Sequence, residues 1–412
     1  MGQTIVEKVI SNHVGKKVYQ DDIVIVPVDG AMASDTTGPL TIKAFREMGG
    51  KKVWQPERCF LVIDHAAPAP NERIANLHVM MREFAREQNC VLYEAGVGIC
   101  HQLMIEDHVV RHGQIFIGAD SHSTAYGAVG ALGTGVGSTD LAAVLLTGKI
   151  WLKVPRSIKI ELKGKMPPAI QSKDLILNTI RQTGIAGATY LSMEFAGEAV
   201  SELSLSSRIT MANMMIEAGA KTGFVHPNGL ELPYSFSPIF PDPDASYQQT
   251  ITIDASQMQP MLSRPHSPDD VIPVDELAGK KIDYAFIGTC VNGRLEDLRI
   301  AAKILKGIKV HPETRLVIGP ASRQVFLDAV KDGTVATLTE AGATFIPPGC
   351  GPCVGTHSGI PGDGERVISA GNRNFKGRMG NPNAKVYLAS PATVAASARD
   401  GKITNPNKYL RP

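Results

Sequence analysis

The stretch QIFIGADSHS, residues 114–123, places a polar cluster directly after a short apolar run. An apolar run of this length beside glycine is typical of a strand buried on both faces, as in a parallel sheet. Asp120, Ser121 and His122 then fall just past its carboxyl end, where open α/β sheets bind ligands. The stretch therefore predicts a layered α/β fold and the sheet edge that carries the site.

The same arrangement recurs along the chain. CFLVIDHAAP (59–68) is a second apolar run, and it ends in Asp64 and His65. NERIANLHVMMREFARE (71–87) follows with its apolar residues on one helical face, and STDLAAVLLTGKIWL (138–152) predicts a capped helix. Alternating strands and helices favour an α/β fold.

The alternation continues to the C-terminus with one interruption. Residues 232–278 are rich in Pro, Asp and Ser and indicate extended surface connections near a domain boundary. We therefore expect three α/β domains, at residues 1–155, 156–277 and 278–412.

Composition excludes several classes of protein. Lys and Arg number 42 against 40 Asp and Glu, so the net charge of +2 offers no basic surface for nucleic acid. No apolar run reaches the ~18 residues of a membrane span, and the N-terminus lacks a secretory signal. Six cysteines in 412 residues are too few for a disulfide framework, which favours a reducing cytoplasm.

Three of the cysteines lie in glycine-rich loops. Cys290 is in IGTCVNG, and Cys350 and Cys353 are in PPGCGPCVG, whereas Cys59 and Cys90 flank apolar runs as core residues do. Three loop thiols suit a soft metal or an iron–sulfur cluster. A [4Fe–4S] cluster on three thiols would keep one iron without a protein ligand, and such an iron can act as a Lewis acid.

Other interpretations of these cysteines stay open. Cys-Gly-Pro-Cys is also the thioredoxin tetrapeptide, but that dithiol opens a helix, and the glycines and proline of residues 354–365 disfavour one here. Zinc held by Cys290, Cys350, Cys353 and His357 is a second alternative. Three unrelated loop cysteines are a third.

Histidines beside carboxylates form a second group. His65 follows Asp64, His122 lies two residues after Asp120, and His101 is in the glycine-flanked GVGICHQ. A carboxylate that orients an imidazole is what acid–base chemistry needs. One Asp-His pair is more often structural, but three imidazoles at loop positions favour a site.

A basic loop, AGNRNFKGRMGN (370–381), carries Arg373 and Arg378. Arginines in such a loop can bind carboxylates through two hydrogen bonds each, although a solvated loop has the same composition. The glycines of GAVGALGTGVGSTD (127–140) match neither nucleotide-binding pattern and predict close packing beside the site.

These motifs together resemble the aconitase superfamily, most closely the large subunits of the 3-isopropylmalate dehydratase and homoaconitase branch. The matching stretches are collinear from near residue 20 to residue 400: IDHAAP, ICHQ, GADSHS, GALGTGVGSTDLA, FIGTCVNGRLEDLR, PPGCGPCVG, GNRNFKGRMG and YLASPATVAASA. The resemblance implies three α/β/α domains around a [4Fe–4S] cluster. It also implies dehydration and rehydration of a hydroxy di- or tricarboxylate.

The resemblance also implies roles for individual residues. The cluster ligands would be Cys290, Cys350 and Cys353, with Asn372 beside them. The pair that protonates the departing hydroxyl would be Asp64 and His65. The polar shell around the labile iron would be His101, Asp120, His122 and Glu194. Contacts to substrate carboxylates would come from Ser121, Arg373 and Arg378.

Departures from the family pattern bear on partner and substrate. Val291 stands where Thr is commoner, and SDTTGP (34–39) replaces the glutamine-bearing segment of aconitases. The resemblance also leads us to expect that the swivel domain with its serine base is a separate small subunit, as in the two-subunit members of the family. We therefore expect the large subunit of a heterodimer or heterotetramer.

The expected activity is that of 3-isopropylmalate dehydratase in leucine biosynthesis. Homoaconitase and a methylmalate or dimethylmalate dehydratase are the alternatives within the branch. A disulfide oxidoreductase and a cluster-free RNA-binding protein are alternatives of other classes.

Overall fold

Buried apolar strands and capped helices build three main sheets in the computed structural model, which describes residues 2–410. Two of these sheets are parallel throughout, as expected for strands covered by helices on both faces. The third is parallel except at one edge. The predicted α/β class is confirmed.

The first sheet has five strands and is accompanied by a two-stranded antiparallel ribbon. Its elements are α1 (Ile5–Val14), β1 (Ile23–Pro27), β2 (Gly30–Ser34), α2 (Gly38–Glu47), β3 (Cys59–Val62), α3 (Glu72–Gln88), β4 (Val91–Tyr93), α4 (Cys100–Glu106), β5 (Ile115–Gly118), β6 (Leu132–Gly135), α5 (Ser138–Thr147) and β7 (Lys149–Lys153). The strand order is β4-β3-β2-β5-β6, and β1 pairs with β7 in the ribbon.

The second sheet has four strands in the order β10-β9-β8-β11. Its elements are β8 (Ser157–Lys163), α6 (Ser172–Thr183), β9 (Ser192–Ala196), α7 (Leu205–Met214), β10 (Thr222–Val225) and β11 (Gln249–Asp254).

The third sheet has seven strands in the order β13-β12-β18-β17-β14-β15-β16. Its elements are β12 (Met261–Ser263), β13 (Val271–Pro273), β14 (Tyr284–Gly288), α8 (Thr289–Asn292), α9 (Leu295–Leu305), β15 (Arg315–Gly319), α10 (Arg323–Lys331), α11 (Thr334–Glu340), β16 (Thr344–Phe345), β17 (Arg366–Ser369), β18 (Lys385–Ala389) and α12 (Pro391–Asp400). Strands β12 and β13 come from residues that the predicted division placed in the second domain.

Local sequence sets the helix ends. Asn71 caps α3 by accepting a hydrogen bond from the Ile74 amide, and Asn89 ends that helix with a φ of 56°. The helix predicted over 138–152 is wrong after residue 147. Gly148 adopts a φ of 65°, so α5 ends at Thr147 and the following residues form β7.

One cluster of buried apolar side chains joins the three sheets. It includes Phe116 on β5, Phe195 on β9 and Phe286 on β14. Because each phenylalanine belongs to a different sheet, this shared core fixes the sheets against one another. The loops that follow the strands can then face a common cleft.

A buried arginine anchors helix α7. The Arg208 side chain is fully buried, and its guanidinium donates to the backbone oxygens of Leu203 at 3.1 Å, His226 at 2.7 Å and Val200 at 2.8 Å. Burial lowers the pKa of Arg208 to about 10, which still leaves it charged at neutral pH. The charge is tolerated because several carbonyl dipoles surround it.

We predict that Arg208→Met lowers the free energy of unfolding by at least about 3 kcal/mol, because several buried carbonyl groups lose their donor at once. Arg299→Met is the matched control. Arg299 forms an exposed ion pair with Asp332 at 2.7 Å, and its loss should cost less than about 1 kcal/mol. Urea unfolding measures both, and equal losses would contradict the prediction.

Candidate active site

The carboxyl ends of strands from the first and third sheets meet at a cleft of about 290 Å³. Of the predicted site residues, all but Asp64 and Glu194 line it. Thr36, Val354 and Thr356 also line the cleft. The structure therefore brings together residues from distant parts of the sequence at the sheet edge where ligands of α/β proteins bind.

Three buried thiols form one wall of the cleft. Cys290 lies just after β14, Cys350 directly precedes a single 3₁₀ turn and Cys353 ends it, and all three cysteines are free. Burial raises the pKa of Cys290, and the neighbouring Cys350 and Cys353 raise it further. Burial also raises the pKa of Cys350 to about 12. The thiolate forms thus need a positive charge among them, which a bound metal or cluster supplies.

Amide and guanidinium groups point at these sulfur atoms. Asn213 Nδ2 lies 3.2 Å and Asn372 Nδ2 3.6 Å from Cys290 Sγ. Arg378 Nη2 lies 3.9 Å from Cys353 Sγ. Donors aimed at sulfur stabilise thiolates, so this set of groups fits an iron–sulfur cluster.

The structure gives no support to a redox dithiol at Cys350 and Cys353 or to a zinc site that includes His357. The raised pKa of Cys350 is opposite to the depressed pKa of a redox-active Cys-x-x-Cys thiol. His357 binds Ser358 through Nδ1 at 2.5 Å and does not line the cleft with the cysteines.

Asp64 and His65 form the predicted pair directly after β3. Asp64 Oδ1 accepts from His65 Nδ1 at 2.8 Å, and its second oxygen accepts the Cys100 amide at 2.8 Å. Because Nδ1 is held in this way, Nε2 faces the cleft, 3.3 Å from Asp120 Oδ2. Burial lowers the pKa of His65, but Asp64, Cys350 and Asp120 together raise it well above its usual range.

Asp35 organises the backbone of this pair. Its carboxylate accepts the amides of His65 at 2.7 Å and Ala66 at 2.9 Å. His78 Nε2 lies 3.1 Å from the same carboxylate. Burial opposes ionisation, but His78 and His65 lower the pKa of Asp35 to about 2.

The partly buried Asp120 carboxylate connects the three imidazoles of the cleft. Oδ1 lies 2.9 Å from His101 Nε2 and 3.6 Å from His122 Nδ1, while Oδ2 faces His65. Burial favours the protonated acid, yet His101, His122 and His65 hold the pKa of Asp120 well below its usual range. The carboxylate therefore stays ionised and fixes three rings.

Glu217 is a site residue that the sequence analysis missed. Its Oε1 lies 3.0 Å from His122 Nε2, and Arg373 Nε donates to both carboxylate oxygens at 2.7 and 2.9 Å. Burial alone would raise the pKa of Glu217, but His122 and Arg373 lower it by more, so the pKa lies below its usual value. Asn213 lies on α7 and Glu217 just after it, four residues later. This helical spacing of two polar residues is the signal that could have found them.

Glu194, predicted for this polar shell, lies elsewhere. It is in the middle of β9, within the core of the second sheet, and fully buried. Its carboxylate accepts from the Ile5 amide at 2.9 Å and from the Tyr247 hydroxyl at 2.7 Å. A mid-strand position puts it away from the sheet edge, so it holds the start of α1 instead.

Arg378 and Ser121 complete the cleft wall. The Nε atom of Arg378 is buried and has no hydrogen-bond partner among the described residues. A buried guanidinium N–H without an acceptor is costly, and a carboxylate in the cleft would satisfy it. Burial opposes the positive charge, but the nearby Cys353 and Cys350 raise the pKa of Arg378.

The chain belongs to the aconitase family (aconitate hydratase), whose family profile matches residues 7–401. This confirms the family resemblance seen in the sequence, together with the hydro-lyase class. The large subunit 1 of 3-isopropylmalate dehydratase from Thermotoga maritima is 48% identical over the whole of both chains. Its counterpart from Methanopyrus kandleri is 46% identical over the same extent.

Two further relatives bear on activity and fold. The probable methanogen homoaconitase large subunit of Methanosarcina mazei is 49% identical over 93% of this chain and 100% of its own. The crystal structure of Thermococcus kodakaraensis aconitase X (holo-form) has a TM-score of 0.51 at 14% identity, and covers 90% of this chain and 89% of that chain. This last likeness shows the fold.

We predict that Asp35→Asn lowers the free energy of unfolding at pH 7 by about 2 kcal/mol, because the folded state holds this pKa near 2 against an ordinary 3.8. A depressed carboxylate pKa stabilises the fold above the unfolded pKa. The difference between variant and wild type should therefore vanish as pH falls from about 4 to about 2.

Urea unfolding across that pH range measures the effect. Glu313→Gln is the control, since its exposed carboxylate lies 3.6 Å from Lys281 and should contribute less than about 1 kcal/mol. A destabilisation by Asp35→Asn that did not change with pH would contradict the prediction.

Proposed function

We propose that this chain is the cluster-bearing large subunit of a heteromeric hydro-lyase that isomerises a hydroxy-dicarboxylic acid, with 3-isopropylmalate as the substrate. The observation that carries the proposal is the meeting of three free thiols, an oriented Asp64–His65 pair and an unsatisfied Arg378 Nε at one cleft. No helix among residues 2–410 is long and apolar enough to cross a membrane.

The proton for the leaving hydroxyl comes from His65 in this proposal. Asp64 accepts from Nδ1 at 2.8 Å, so the ring presents Nε2 to the cleft. Asp64 and Asp120 favour the imidazolium by raising its pKa against the effect of burial. A positioned acid of this kind lowers the barrier to loss of hydroxide as water.

Substrate orientation is assigned to the arginines and Ser121. Arg373 Nε is fixed by Glu217, which leaves its terminal nitrogens for a carboxylate in the cleft. Arg378 offers its unsatisfied Nε–H to a second carboxylate. Two fixed cations at one cleft suit a substrate with two carboxylates and hold it for reaction.

A [4Fe–4S] cluster held by Cys290, Cys350 and Cys353 would supply an iron without a protein ligand as a Lewis acid toward the substrate. Asn213, Asn372 and Arg378 would stabilise its sulfur atoms. The base that removes the carbon-bound proton would come from a small swivel-domain subunit. The large-subunit names of the relatives support such a partner.

A tricarboxylate is the second candidate substrate. It is favoured by the 49% identity to the probable homoaconitase large subunit, against 46% and 48% identity to the dehydratase large subunits of Methanopyrus kandleri and Thermotoga maritima. Several other dehydratase large subunits match over the full chain, which favours the dicarboxylate. Turnover of a substrate panel by the complex with its small subunit decides between them.

Reconstitution with iron and sulfide under anaerobic conditions should give iron–sulfur absorption and, after mild oxidation, an EPR signal. Cys350→Ser should lose most of the cluster and the activity of the complex, because one of three protein ligands is gone. Cys90→Ser, a half-buried cysteine outside the cleft, should keep both. No cluster in the wild-type chain, or an active Cys350→Ser complex, would refute the proposal.

Arg378→Lys should lower kcat/KM of the complex by about 10- to 100-fold, mainly by raising KM, because lysine cannot reproduce the Nε–H of the planar guanidinium. The cluster spectrum should remain. Arg366→Lys at the start of β17 is the control, since Arg366 only pairs with Asp283 at 2.9 Å on the partly exposed side of the sheet. An unchanged KM in Arg378→Lys would remove this residue from substrate binding.

A further inference from the structure

Cys59 begins strand β3 and Cys90 directly precedes the neighbouring strand β4, away from the active-site cleft. The parallel register of β3 and β4 pairs Phe60 with Val91, and Cys59 and Cys90 are the residues directly before that pair. Neighbouring strands are about 4.8 Å apart, which is within the Cα separation of about 4.4–6.8 Å that a disulfide requires. Both side chains project to the same face of the sheet.

The two thiols are in hydrogen-bond contact and differ in access to solvent. Cys59 is 2% exposed, whereas Cys90 is half-buried beside edge strand β4. The Cys59 thiol donates to Cys90, which raises the pKa of Cys59 and lowers the pKa of Cys90 against the effect of burial. The accessible thiol is therefore the one that deprotonates first.

Cys90 opens to a surface cleft of about 630 Å³ whose wall is basic. Arg82 is held by Glu94 through two hydrogen bonds of 2.6 and 2.8 Å. Arg86 donates from Nε to the Arg82 carbonyl at 3.4 Å and, among the described residues, forms no carboxylate ion pair. This cleft thus offers a thiol and an uncompensated cation to a small anion.

We propose that Cys59 and Cys90 form a thiol–disulfide exchange site for a small disulfide that bears carboxylates, such as glutathione disulfide. The Cys90 thiolate attacks one sulfur of the reagent, forming a mixed disulfide and releasing one thiol. The Cys59 sulfur, after loss of its proton to water, attacks Cys90 and releases the second thiol. Two cysteine thiols are oxidised by two electrons, and one small disulfide is reduced to two thiols.

The bond would join edge strand β4 to β3 at the end of β3 remote from Asp64 and His65. Cys59 begins the strand, and those two residues follow its other end. The thiols that line the active-site cleft belong to other elements, so exchange at Cys90 does not need to disturb them.

The test treats the full, cluster-loaded chain with glutathione disulfide under anaerobic conditions and maps the modified peptides by mass spectrometry. Wild type should yield a Cys59–Cys90 linkage with unchanged cluster absorption. Cys59→Ser should instead accumulate glutathione on Cys90, and Cys90→Ser should leave Cys59 unmodified. Arg86→Gln should slow the reaction with glutathione disulfide roughly threefold, without slowing that with the cationic disulfide cystamine.

If a variant does not fold, the peptide map of the wild-type protein still tests the proposal. Modification of Cys290, Cys350 or Cys353 before Cys90, or no linkage between Cys59 and Cys90, would overturn it. Equal slowing of both reagents by Arg86→Gln would overturn the anionic specificity.

Discussion

The contact of the partly buried Asp120 carboxylate with three imidazoles is the interaction on which the cleft depends. A buried carboxylate is tolerated only when charge and hydrogen bonds compensate its loss of water. His65, His101 and His122 come from three separate elements, and each must be in place for Asp120 to remain ionised. The electrostatic requirement therefore positions the loop after β3, helix α4 and the segment after β5 together.

The sequence predicted the part of the site that follows strands. Asp64, Asp120 and Cys290 each come directly after an apolar run, and parallel strands carry such residues to a common edge. Glu217 has no such context, because it follows helix α7 and reaches the cleft only through tertiary packing. Glu194 lies away from the cleft, and the sequence gives no sign of this, because an acidic residue in an apolar strand does not reveal which neighbours it contacts.

Asp35 and the end of α5 show two further features that the local sequence does not predict. Asp35 precedes a helix and looks locally like a cap, yet its oxygens accept amides 29 to 31 residues later in the chain. Residues 149–152 continue the apolar pattern of α5, but the left-handed Gly148 ends the helix and they pair with β1. In both cases a long-range partner, absent from the local pattern, decides the structure.

Cysteines of this chain lie in two different electrostatic environments. Cys290 and Cys350 lie where burial raises the thiol pKa, so only a strong cationic ligand makes thiolates of them. Cys90 lies at a half-exposed strand edge, where a neighbouring thiol lowers its pKa without any metal. Strand β3 links the two environments, since Cys59 begins it and the Asp64–His65 pair follows it. In the proposed cluster-bearing subunit this separation would be an advantage, because a small disulfide would meet the accessible Cys90 before it reached the buried thiols of the cleft.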